Sequence, residues 1–530
     1  MSTPDKEVEL KLELEPGAAE SLKISGAVTG FFSGKASTKQ LTSIYFDTAD
    51  LRLHKARIAA RVRKSGRRWI QTVKLGKPLS GGLSSPIEIE TDVSGPHFQL
   101  DQVPDEDIRR QIADCTGGAG LVPCFETVMQ RTQRDLTRED GTLIEAALDV
   151  GEIVAGDKRL PLCELELELK SGSIAPLYEA ALALTGANAF RFSPMSKAER
   201  GYRLFLGQDE APRNAGTIDL DATMRVEDAY QHILRSCIDQ ISAARMVCLT
   251  SADNEGPHQL RIGFRRLRTA FKLFRPVLDP RRTGALDQQA SRYAAAAGAL
   301  RDLDVLSDEI IAPLASHAPE GINIPLLLEQ LGKDRQATRL ELTAELASAA
   351  FNGFLLDLAS YCETAGWRKE EDARQADRLA EAVTAFASEA IGKRWRKVQS
   401  YGRRLDTLSR TERHDMRKAL KKFRYGLEFF ACLFPGESRK TFLKHLKNLQ
   451  DVFGYLNDVA MAERLATLTP GPVKTAGKAA GKTGRATSLA AASGFVLGWH
   501  EAQARTAWPE ARSGWKEASK AKPCWTRKKS

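Results

Sequence analysis

The first 205 residues are dominated by alternation of polar and aliphatic side chains. Residues 7–15, EVELKLELE, carry a charge at every odd position and an aliphatic side chain at every even one. Successive residues of a β-strand face opposite sides of its sheet, so this period of two predicts a strand. Similar runs occur at 41–48, 58–76, 84–93, 142–154 and 160–172. The N-terminal region is therefore predicted to be mainly β-sheet, with flanking helices.

The period changes after a polar linker at 207–218. Apolar residues then recur at helical spacing nearly to the end of the chain, with Pro- and Gly-containing breaks between segments. The exception is 469–486, TPGPVKTAGKAAGKTGRA, a low-complexity basic stretch that we expect to be a mobile loop. The predicted fold class is a multidomain α+β protein, with a β-sheet domain at 1–206 and an all-α domain at 219–530.

The net charge of +10 over 530 residues indicates a polyanionic partner. Nucleic acid, an anionic membrane and a phosphate polymer all fit this charge, and composition does not choose among them. The eight cysteines are dispersed without a CxxC pair, which argues against a zinc ribbon and against a disulfide framework. The N-terminus lacks the apolar segment of a signal peptide, and no uncharged apolar run is long enough to cross a bilayer. We therefore expect a cytoplasmic protein without a membrane partner.

Several predicted strands carry charges of both signs on one face and aliphatic side chains on the other. Arg61 and Arg63 share one face of their strand, Glu88 and Glu90 share another, and Lys74 closes the strand WIQTVK. A single strand of this kind is usually an ordinary solvated face. Together they favour a closed barrel whose charged face lines the interior.

Charges enclosed in this way need compensation. The cations would need a polyanion, and the carboxylates would need divalent cations that bind through oxygen. A phosphate chain carrying Mg²⁺ or Mn²⁺ supplies both partners. The pattern therefore indicates metal-assisted phosphoryl transfer to water.

The N-terminal region contains a series of short motifs: ExExK at 7–11, YFDT at 45–48, RVR at 61–63, TVK ending at Lys74, ExE at 88–90, ALDVG, ELELELKSG and SKAERGY at 196–202. These motifs, in this order, resemble those of the CYTH superfamily, also called triphosphate tunnel metalloenzymes. The resemblance implies an eight-stranded antiparallel tunnel that hydrolyses triphosphates with Mg²⁺ or Mn²⁺. One departure is Pro86, which stands where the family often has an Arg that binds phosphate.

Carried over position by position, the resemblance assigns roles to individual residues. The metal ligands would be Glu7, Glu9, Glu164, Glu166 and Glu168. The phosphate-binding residues would be Lys11, Arg61, Arg63, Lys74, Arg131 and Lys197. Glu88 and Glu90 would bind a second metal or orient the attacking water, and they form the catalytic group with Lys74 and Arg131. Asp149 matches a further acidic position of the family.

The helical half contains one basic motif twice, HQLRIGFRRLR at 258–268 and HDMRKALKKFR at 414–424. The shared basic positions are His258, Arg261, Arg265 and Arg268 in the first copy and His414, Arg417, Lys421 and Arg424 in the second. At roughly 100° per residue they fall within an arc of about 80° on each helix. A solvated helix face is the ordinary explanation of one such stripe, and the two His residues could also be metal ligands. Two matching stripes favour an anion-binding surface.

The repeat extends beyond these helices, because Arg301-Asp302 and Asn457-Asp458 lie at matching distances from the two motifs. An internal duplication follows, with repeats at about 219–315 and 380–530. This half resembles a CHAD domain, which implies a pair of four-helix bundles that bind inorganic polyphosphate. The stripes carry no aromatic platform on which bases could stack, and this disfavours nucleic acid as a partner.

The leading hypothesis is a metal-dependent inorganic triphosphatase that hydrolyses tripolyphosphate to diphosphate and phosphate. Its helical half would bind inorganic polyphosphate or dock the enzyme on polyphosphate granules. Two alternatives stay open. One is a CYTH enzyme acting on nucleoside triphosphates, as an NTPase or adenylate cyclase, and the other is a non-catalytic polyphosphate-binding scaffold. The sequence leaves the oligomeric state undefined.

Overall fold

A computed structural model gives the fold of the chain. It describes residues 8–22, 24, 26–76, 82–84, 87–208, 218–434, 436, 440, 442–447, 449, 454, 461–463, 465, 480–521 and 523–525. The chain divides into two compact units. The first contains residues 1–215, 238–251 and 345–366, and the second contains 216–237, 252–344 and 367–530.

The first unit is built on an antiparallel sheet in which eleven strands are described. Their bounds are β1 Val8–Leu14, β2 Phe32–Ser33, β3 Ser37–Asp47, β4 Ile58–Ser65, β5 Arg68–Leu75, β6 Leu83–Ser84, β7 Ile87–Val93, β8 Val122–Thr137, β9 Leu143–Ala155, β10 Lys158–Ser171 and β11 Phe190–Phe192. The strands follow the alternating runs of the sequence, because a period of two suits a sheet with two different faces.

The strand order is β11-β1-β10-β9-β8-β3-β4-β5-β7. Eight of these strands have seven residues or more, and the others have two or three. Within the described residues β7 does not pair with β1. Instead the short strand β6, which precedes β7 on the chain, pairs with β1 through Leu10 and Leu83. The sheet thus returns to its first strand through a two-residue segment.

Both faces of β1 are buried, which decides where its charged side points. Leu10 and Leu12 are fully buried on the aliphatic face, while Glu9, Lys11 and Glu13 are only 5–8% exposed on the other. Four helices accompany the sheet, namely α1 Arg52–Lys55, α2 Glu106–Thr116, α3 Ala175–Thr185 and α4 Lys197–Leu206. The charged face is therefore enclosed by the first unit and is not a solvated surface.

The C-terminal half is mostly helical, which confirms the α+β class. The α-helices described in this half are α5 Val226–Thr250, α6 Glu255–Phe274, α7 Pro280–Asp304, α8 Ile324–Leu346, α9 Ala349–Glu363, α10 Ala373–Ala380, α11 Val383–Gly402, α12 Arg410–Phe429 and α13 Ala480–Lys520. Helix α13 begins at Ala480, so the last seven residues of the basic segment 469–486 are helical, whereas 469–479 lie outside the described residues. No helix in the described ranges is long and apolar enough to cross a membrane.

Two helical segments of the C-terminal half, 238–251 and 345–366, belong to the first unit. Arg245 is fully buried there, and its guanidinium donates to the carbonyl oxygens of Leu346 and Phe190 and to Oδ1 of Asn352 at 2.6–3.2 Å. The amide of Asn352 donates in turn to the carbonyl oxygens of Gly186 and Asn188. The sheet domain and these helical segments therefore share one polar network.

Candidate active site

A cavity of about 800 Å³ lies in the first unit and is lined mainly by charged side chains of both signs. Eleven of the residues singled out in the sequence line it, namely Glu9, Lys11, Arg61, Arg63, Lys74, Glu88, Glu90, Arg131, Glu166, Glu168 and Lys197. They come from six strands and one helix, so only the folded sheet brings them together. Glu7 and Pro86 lie outside the described residues.

The register of β1 and β10 explains why these charges meet. Glu9 is paired with Glu168, Lys11 with Glu166, and Glu13 with Glu164. Cross-strand partners in an antiparallel pair have their side chains on the same face. Each charge of the opening motif therefore lies beside a charge of the run ELELE, which is more than 150 residues away on the chain.

The innermost part of the cavity holds a network of buried ions around Lys197. Its Nζ lies 2.5 Å from Oε1 of Glu164, 2.6 Å from Oε1 of Glu166 and 2.9 Å from Oδ2 of Asp149. Lys197 is the first residue of α4, whose N-cap Ser196 accepts a hydrogen bond from the backbone of Glu199. Although burial acts to lower the pKa of Lys197, the three carboxylates raise it above its ordinary value.

Arg131 and Lys11 hold the same carboxylates from other sides. Arg131 donates from Nε and Nη2 to both oxygens of Asp149 at 2.7 and 2.6 Å, and from Nη2 to Glu166 at 2.5 Å. Lys11 Nζ lies 3.1 Å from Glu166 and 3.0 Å from Glu9. Two parallel bonds between a guanidinium and a carboxylate fix both groups in orientation. Glu166 is consequently bound by three cations.

The pKa values of the two glutamates of this network are shifted in opposite directions. Burial raises the pKa of Glu164 to about 7, with Lys197 opposing the shift. The pKa of Glu166 is instead well below its ordinary value, since Lys11, Lys197 and Arg131 together outweigh its burial. Glu164 does not line the cavity, because it is fully buried and pairs with Lys197.

A second ion network lies across the cavity on β4, β5 and β7. Arg61 Nη2 donates to Oε1 of Glu88 at 3.1 Å and lies 3.7 Å from Oε1 of Glu90. Lys74 pairs with the other oxygen of Glu88, and Thr72 donates to Glu90 at 3.0 Å. Although burial opposes it, the cations Lys74 and Arg61 lower the pKa of Glu88 to about 2.

Arg63 differs from the other predicted phosphate ligands. Its Nε donates to Oγ of Ser43 at 3.2 Å, and it forms no ion pair with a carboxylate in the described part of the chain. Burial, with Arg61 and Arg131 nearby, lowers the pKa of Arg63 to about 10. The cavity therefore contains a guanidinium beside two other cations, and among the described residues no carboxylate forms an ion pair with it.

Sequence reasoning missed several residues that line the cavity. Glu145 is paired with Glu168 on β10, so Glu9, Glu168 and Glu145 form a row of carboxylates across three strands. Burial raises the pKa of Glu145. The alternation of the sequence could have identified Glu145, because Glu145, Ala147 and Asp149 occupy alternate positions of one strand and therefore share a face. His54 and Arg57 also line the cavity, but they lie in a turn that periodicity does not address.

The donor chemistry of this row suits a divalent cation, since Mg²⁺ and Mn²⁺ prefer carboxylate oxygens. No three carboxylate, His or Cys side chains among the described residues already converge as a metal site, and Glu7 is not among those residues. Lys11 now contacts Glu9, and Lys170 lies 2.7 Å from Glu168. Lysines therefore neutralise both carboxylates in this structure, and Glu9, Glu168 and Glu145 would supply oxygen ligands to a divalent cation.

The second unit brings the two basic stripes of the sequence together. Arg261 and Arg265 of α6 and Arg417 and Arg424 of α12 are the charges that act on Lys421. Together with burial, they lower the pKa of Lys421 to about 7.

Two arginines of the first stripe are restrained by aspartates of the same repeat. Arg261 contacts Asp302 at 2.5 Å and Arg268 contacts Asp287 at 2.7 Å. Burial lowers the pKa values of both His258 and His414. Asn457 and Asp458 lie outside the described residues, so the matching contact of the second repeat is undescribed.

Comparison with known proteins shows which families the two halves of the chain match. Residues 5–202 match the CYTH domain and residues 232–467 match the CHAD domain. The inorganic triphosphatase of Haemophilus influenzae is 30% identical over 209 residues, which represent 38% of this chain and 55% of that protein. The chain thus spans about half the length of this relative.

Two solved structures are similar to parts of the chain. The CHAD domain of the plant Ricinus communis covers 58% of this chain and 97% of its own length, at 26% identity and a TM-score of 0.48. A Hippeastrum protein described as having a dominant triphosphatase activity covers 39% of this chain and 98% of its own length, at 19% identity and a TM-score of 0.28. The family matches identify the chain as a CYTH domain at residues 5–202 followed by a CHAD domain at residues 232–467.

Proposed function

We propose that this protein is a metal-dependent inorganic triphosphatase that hydrolyses tripolyphosphate to diphosphate and phosphate. The CYTH match and the triphosphatase relative support this activity. The observation that carries it is Arg63, whose guanidinium faces the cavity beside Arg61 and Arg131 without a carboxylate partner in the described chain. A bound anion would remove the repulsion among these three cations.

The cations of the two networks position the phosphate chain on either side of Arg63. Arg61 and Lys74 are held by Glu88, while Lys11, Arg131 and Lys197 are held by Glu166. Because these groups are fixed before substrate arrives, little conformational entropy is lost when phosphate binds. Glu88 remains ionised at neutral pH and is a weak base, so it orients water by accepting a hydrogen bond.

A divalent cation, Mg²⁺ or Mn²⁺, is part of the proposal. Glu9, Glu166 and Glu168 are the members of the predicted metal set that face the cavity and would hold it, with Glu7. When bound, such a cation offsets the charge of the phosphate oxygens and lowers the pKa of a water molecule. Glu164 instead holds Lys197 in place.

The helical half is proposed to bind inorganic polyphosphate through the facing stripes of α6 and α12. The two stripes place four arginines near Lys421, whose pKa is lowered first by its burial and then by these cations. This group of cations supports the proposal, because a linear polyanion would neutralise its charge. An eight-stranded tunnel, a pair of four-helix bundles and a cytoplasmic location at polyphosphate granules belong to the same proposal.

The test is phosphate release by the full chain from tripolyphosphate and from ATP, with Mg²⁺ or Mn²⁺ and with a chelator. Glu166→Gln is expected to lower kcat by at least about 100-fold, because the side chain that organises three cations loses its charge. The matched control is Glu152→Gln, a glutamate of β9 outside the cavity.

This assay, together with a measurement of polyphosphate binding, distinguishes the two alternative functions. A higher kcat/KM for ATP than for tripolyphosphate would favour a nucleotide-directed enzyme. Polyphosphate binding without phosphate release under any metal condition would favour the non-catalytic scaffold. Equal turnover by Glu166→Gln and the natural chain would contradict the proposed site.

A further inference from the structure

Arg57 is a charged residue at the cavity that neither the motifs nor the ion networks explain. It directly precedes β4, whose alternate residues Ala59, Arg61 and Arg63 all face the cavity, and Arg57 lines the cavity with them. Unlike Lys11 and Lys197, which are 8% and 7% exposed, Arg57 is an exposed residue. It therefore lies where the cavity opens to solvent.

The backbone of Arg57 has a conformation that L-amino acids rarely adopt. Its φ is +60°, in the left-handed region that favours glycine. A glycine at this position would remove the steric penalty, yet the chain carries a long cationic side chain. Non-glycine residues in this region often mark functional sites when the surrounding structure holds them there.

The surrounding turn is held firmly by Asp47. Its buried carboxylate accepts hydrogen bonds from the backbone N–H groups of Thr48, Leu53 and His54 at 2.7–2.8 Å. The backbone N–H of Arg57 donates to the carbonyl oxygen of His54 at 3.0 Å. The side chain of Arg57 is thus presented at the opening from a rigid turn.

The charge of Arg57 has no counterpart in the described part of the protein. The nearby His54 lies 3.6 Å from Glu199 and stacks on Tyr202, so its interactions are already made. Arg57 itself forms no ion pair or side-chain hydrogen bond with a described residue. A guanidinium presented in this way suits the planar, bidentate recognition of a phosphate group.

We propose that Arg57 is a substrate-binding residue at the cavity opening, which contacts phosphate groups beyond those held by the inner cations and favours phosphate chains longer than three. This inference rests on the proposed function, since it concerns the same substrate. The inner cations bind the part of the chain that reacts, so Arg57 contributes to affinity and leaves the chemical step unchanged.

The experiment compares Arg57→Gly, Arg57→Lys and the control Arg67→Ala in the full chain. Arg67 is an exposed arginine of the β4–β5 turn that does not line the cavity. Arg57→Gly is expected to raise KM about fivefold to tenfold for a longer linear polyphosphate and less for tripolyphosphate, with kcat unchanged. Arg57→Lys should recover part of the affinity, and Arg67→Ala should match the natural chain.

Thermal unfolding separates this role from a structural one. Glycine accepts a positive φ without strain, so Arg57→Gly is expected to keep or raise the melting temperature. Unchanged KM values for both substrates in Arg57→Gly would overturn the proposal. So would an equal loss for tripolyphosphate and the longer chain, because Arg57 would then not discriminate chain length.

A binding titration keeps the inference separate from the proposed activity. Two proteins are compared, and both carry Arg265→Ala and Lys421→Ala to weaken phosphate binding by the helical surface. One of them keeps Arg57 and the other carries Arg57→Gly. If no phosphate is released but tripolyphosphate and polyphosphate bind, the proposed activity fails and the affinities still test Arg57. Equal affinities of the two proteins for the longer polyphosphate would overturn the inference. It would also be overturned if the protein that keeps Arg57 bound neither tripolyphosphate nor the longer chain.

Discussion

At the scale of single residues, the cavity depends on how each charge is neutralised. Glu166 is bound by three cations and Glu88 by two, so these carboxylates remain ionised although they are largely buried. Arg63 has no such partner in the described chain. The difference separates the side chains that organise the cavity from a buried guanidinium that is available to bind an anion.

Arg63→Met should therefore lower the affinity for tripolyphosphate more than it lowers stability. Methionine keeps much of the apolar part of the arginine side chain. It removes the guanidinium charge, which burial already disfavours. We expect KM to rise at least about tenfold, because a charge-assisted hydrogen bond is lost. The melting temperature should stay level or rise. The control is Arg68→Met, an exposed arginine of β5, and a melting temperature that falls with unchanged KM would contradict this role.

Lys421 gives the helical half a pH dependence near neutrality. Its pKa is about 7 in the folded protein and its ordinary value is 10.5, so the unfolded chain binds more protons between these values. Stability therefore rises as pH increases from about 7 to about 10.5. Polyphosphate favours the charged form, so its affinity should fall as pH rises through 7.

A titration of polyphosphate binding from about pH 6 to about pH 9, which extends to both sides of this pKa, checks the expectation. Lys421→Met should flatten the profile above pH 7, and Lys422→Met on the same helix should not. The cations facing Lys421 are Arg417 and Arg424 on its own helix and Arg261 and Arg265 on α6. His258 and His414, whose pKa values lie below the ordinary 6.5, account for the remaining change at lower pH.

At the scale of elements, β1 is held from both sides. On one side it pairs with β10, and on the other with β11, where Arg191 and Ser193 donate to Glu13 at 2.6 Å. The carbonyl oxygen of Phe190 at the start of β11 accepts from Arg245 of α5. The helix is thus linked to the strand that carries Glu9 and Lys11.

Replacing Arg245 by Met should destabilise the first unit by about 3 kcal/mol, because the buried acceptors of Leu346, Phe190 and Asn352 lose their donor. Chemical denaturation measures this change. Arg67→Met, at an exposed arginine of the β4–β5 turn in the same unit, serves as the control. A loss below about 0.5 kcal/mol would show that the network contributes little.

At the scale of the whole molecule, the compact units do not follow the boundary between the sheet and the helices. Residues 238–251 and 345–366 belong to the unit that contains the sheet. Ser242, in the first of these segments, accepts a hydrogen bond at its Oγ from the backbone N–H of Phe192 at 2.9 Å. The helical half therefore contributes to the stability of the sheet domain.

A chain ending at residue 206 should be less stable and less active than the full protein. It lacks both helical segments and exposes the surface they cover, so we expect the melting temperature to fall by at least about 5 °C. The full chain with Arg265→Ala and Lys421→Ala is the control, since it loses the basic surface and keeps the packing. Equal stability of the short and full chains would contradict this expectation.

The sequence alone determined the local features of this protein. Alternation defined the strands and placed Glu9 and Lys11, or Arg61 and Arg63, on one face, because side-chain direction in a strand depends only on position. Helical spacing likewise identified the matching stripes around His258 and His414. Mixed charges on one face also indicated enclosure, since buried charges need partners.

Only the tertiary structure decided which charges are paired. The register between distant strands brings Glu166 to Lys11 and Arg131 and leaves Arg63 without a carboxylate in the described chain, and no local pattern contains that register. Glu164 shares a strand face with Glu166, yet it is fully buried, does not line the cavity and pairs with Lys197 of α4. The positive φ of Arg57 depends on a turn held by Asp47. These features follow from contacts between residues that are distant in the sequence. The periodicity of the sequence specifies the direction in which a side chain points, but not the residues that it contacts.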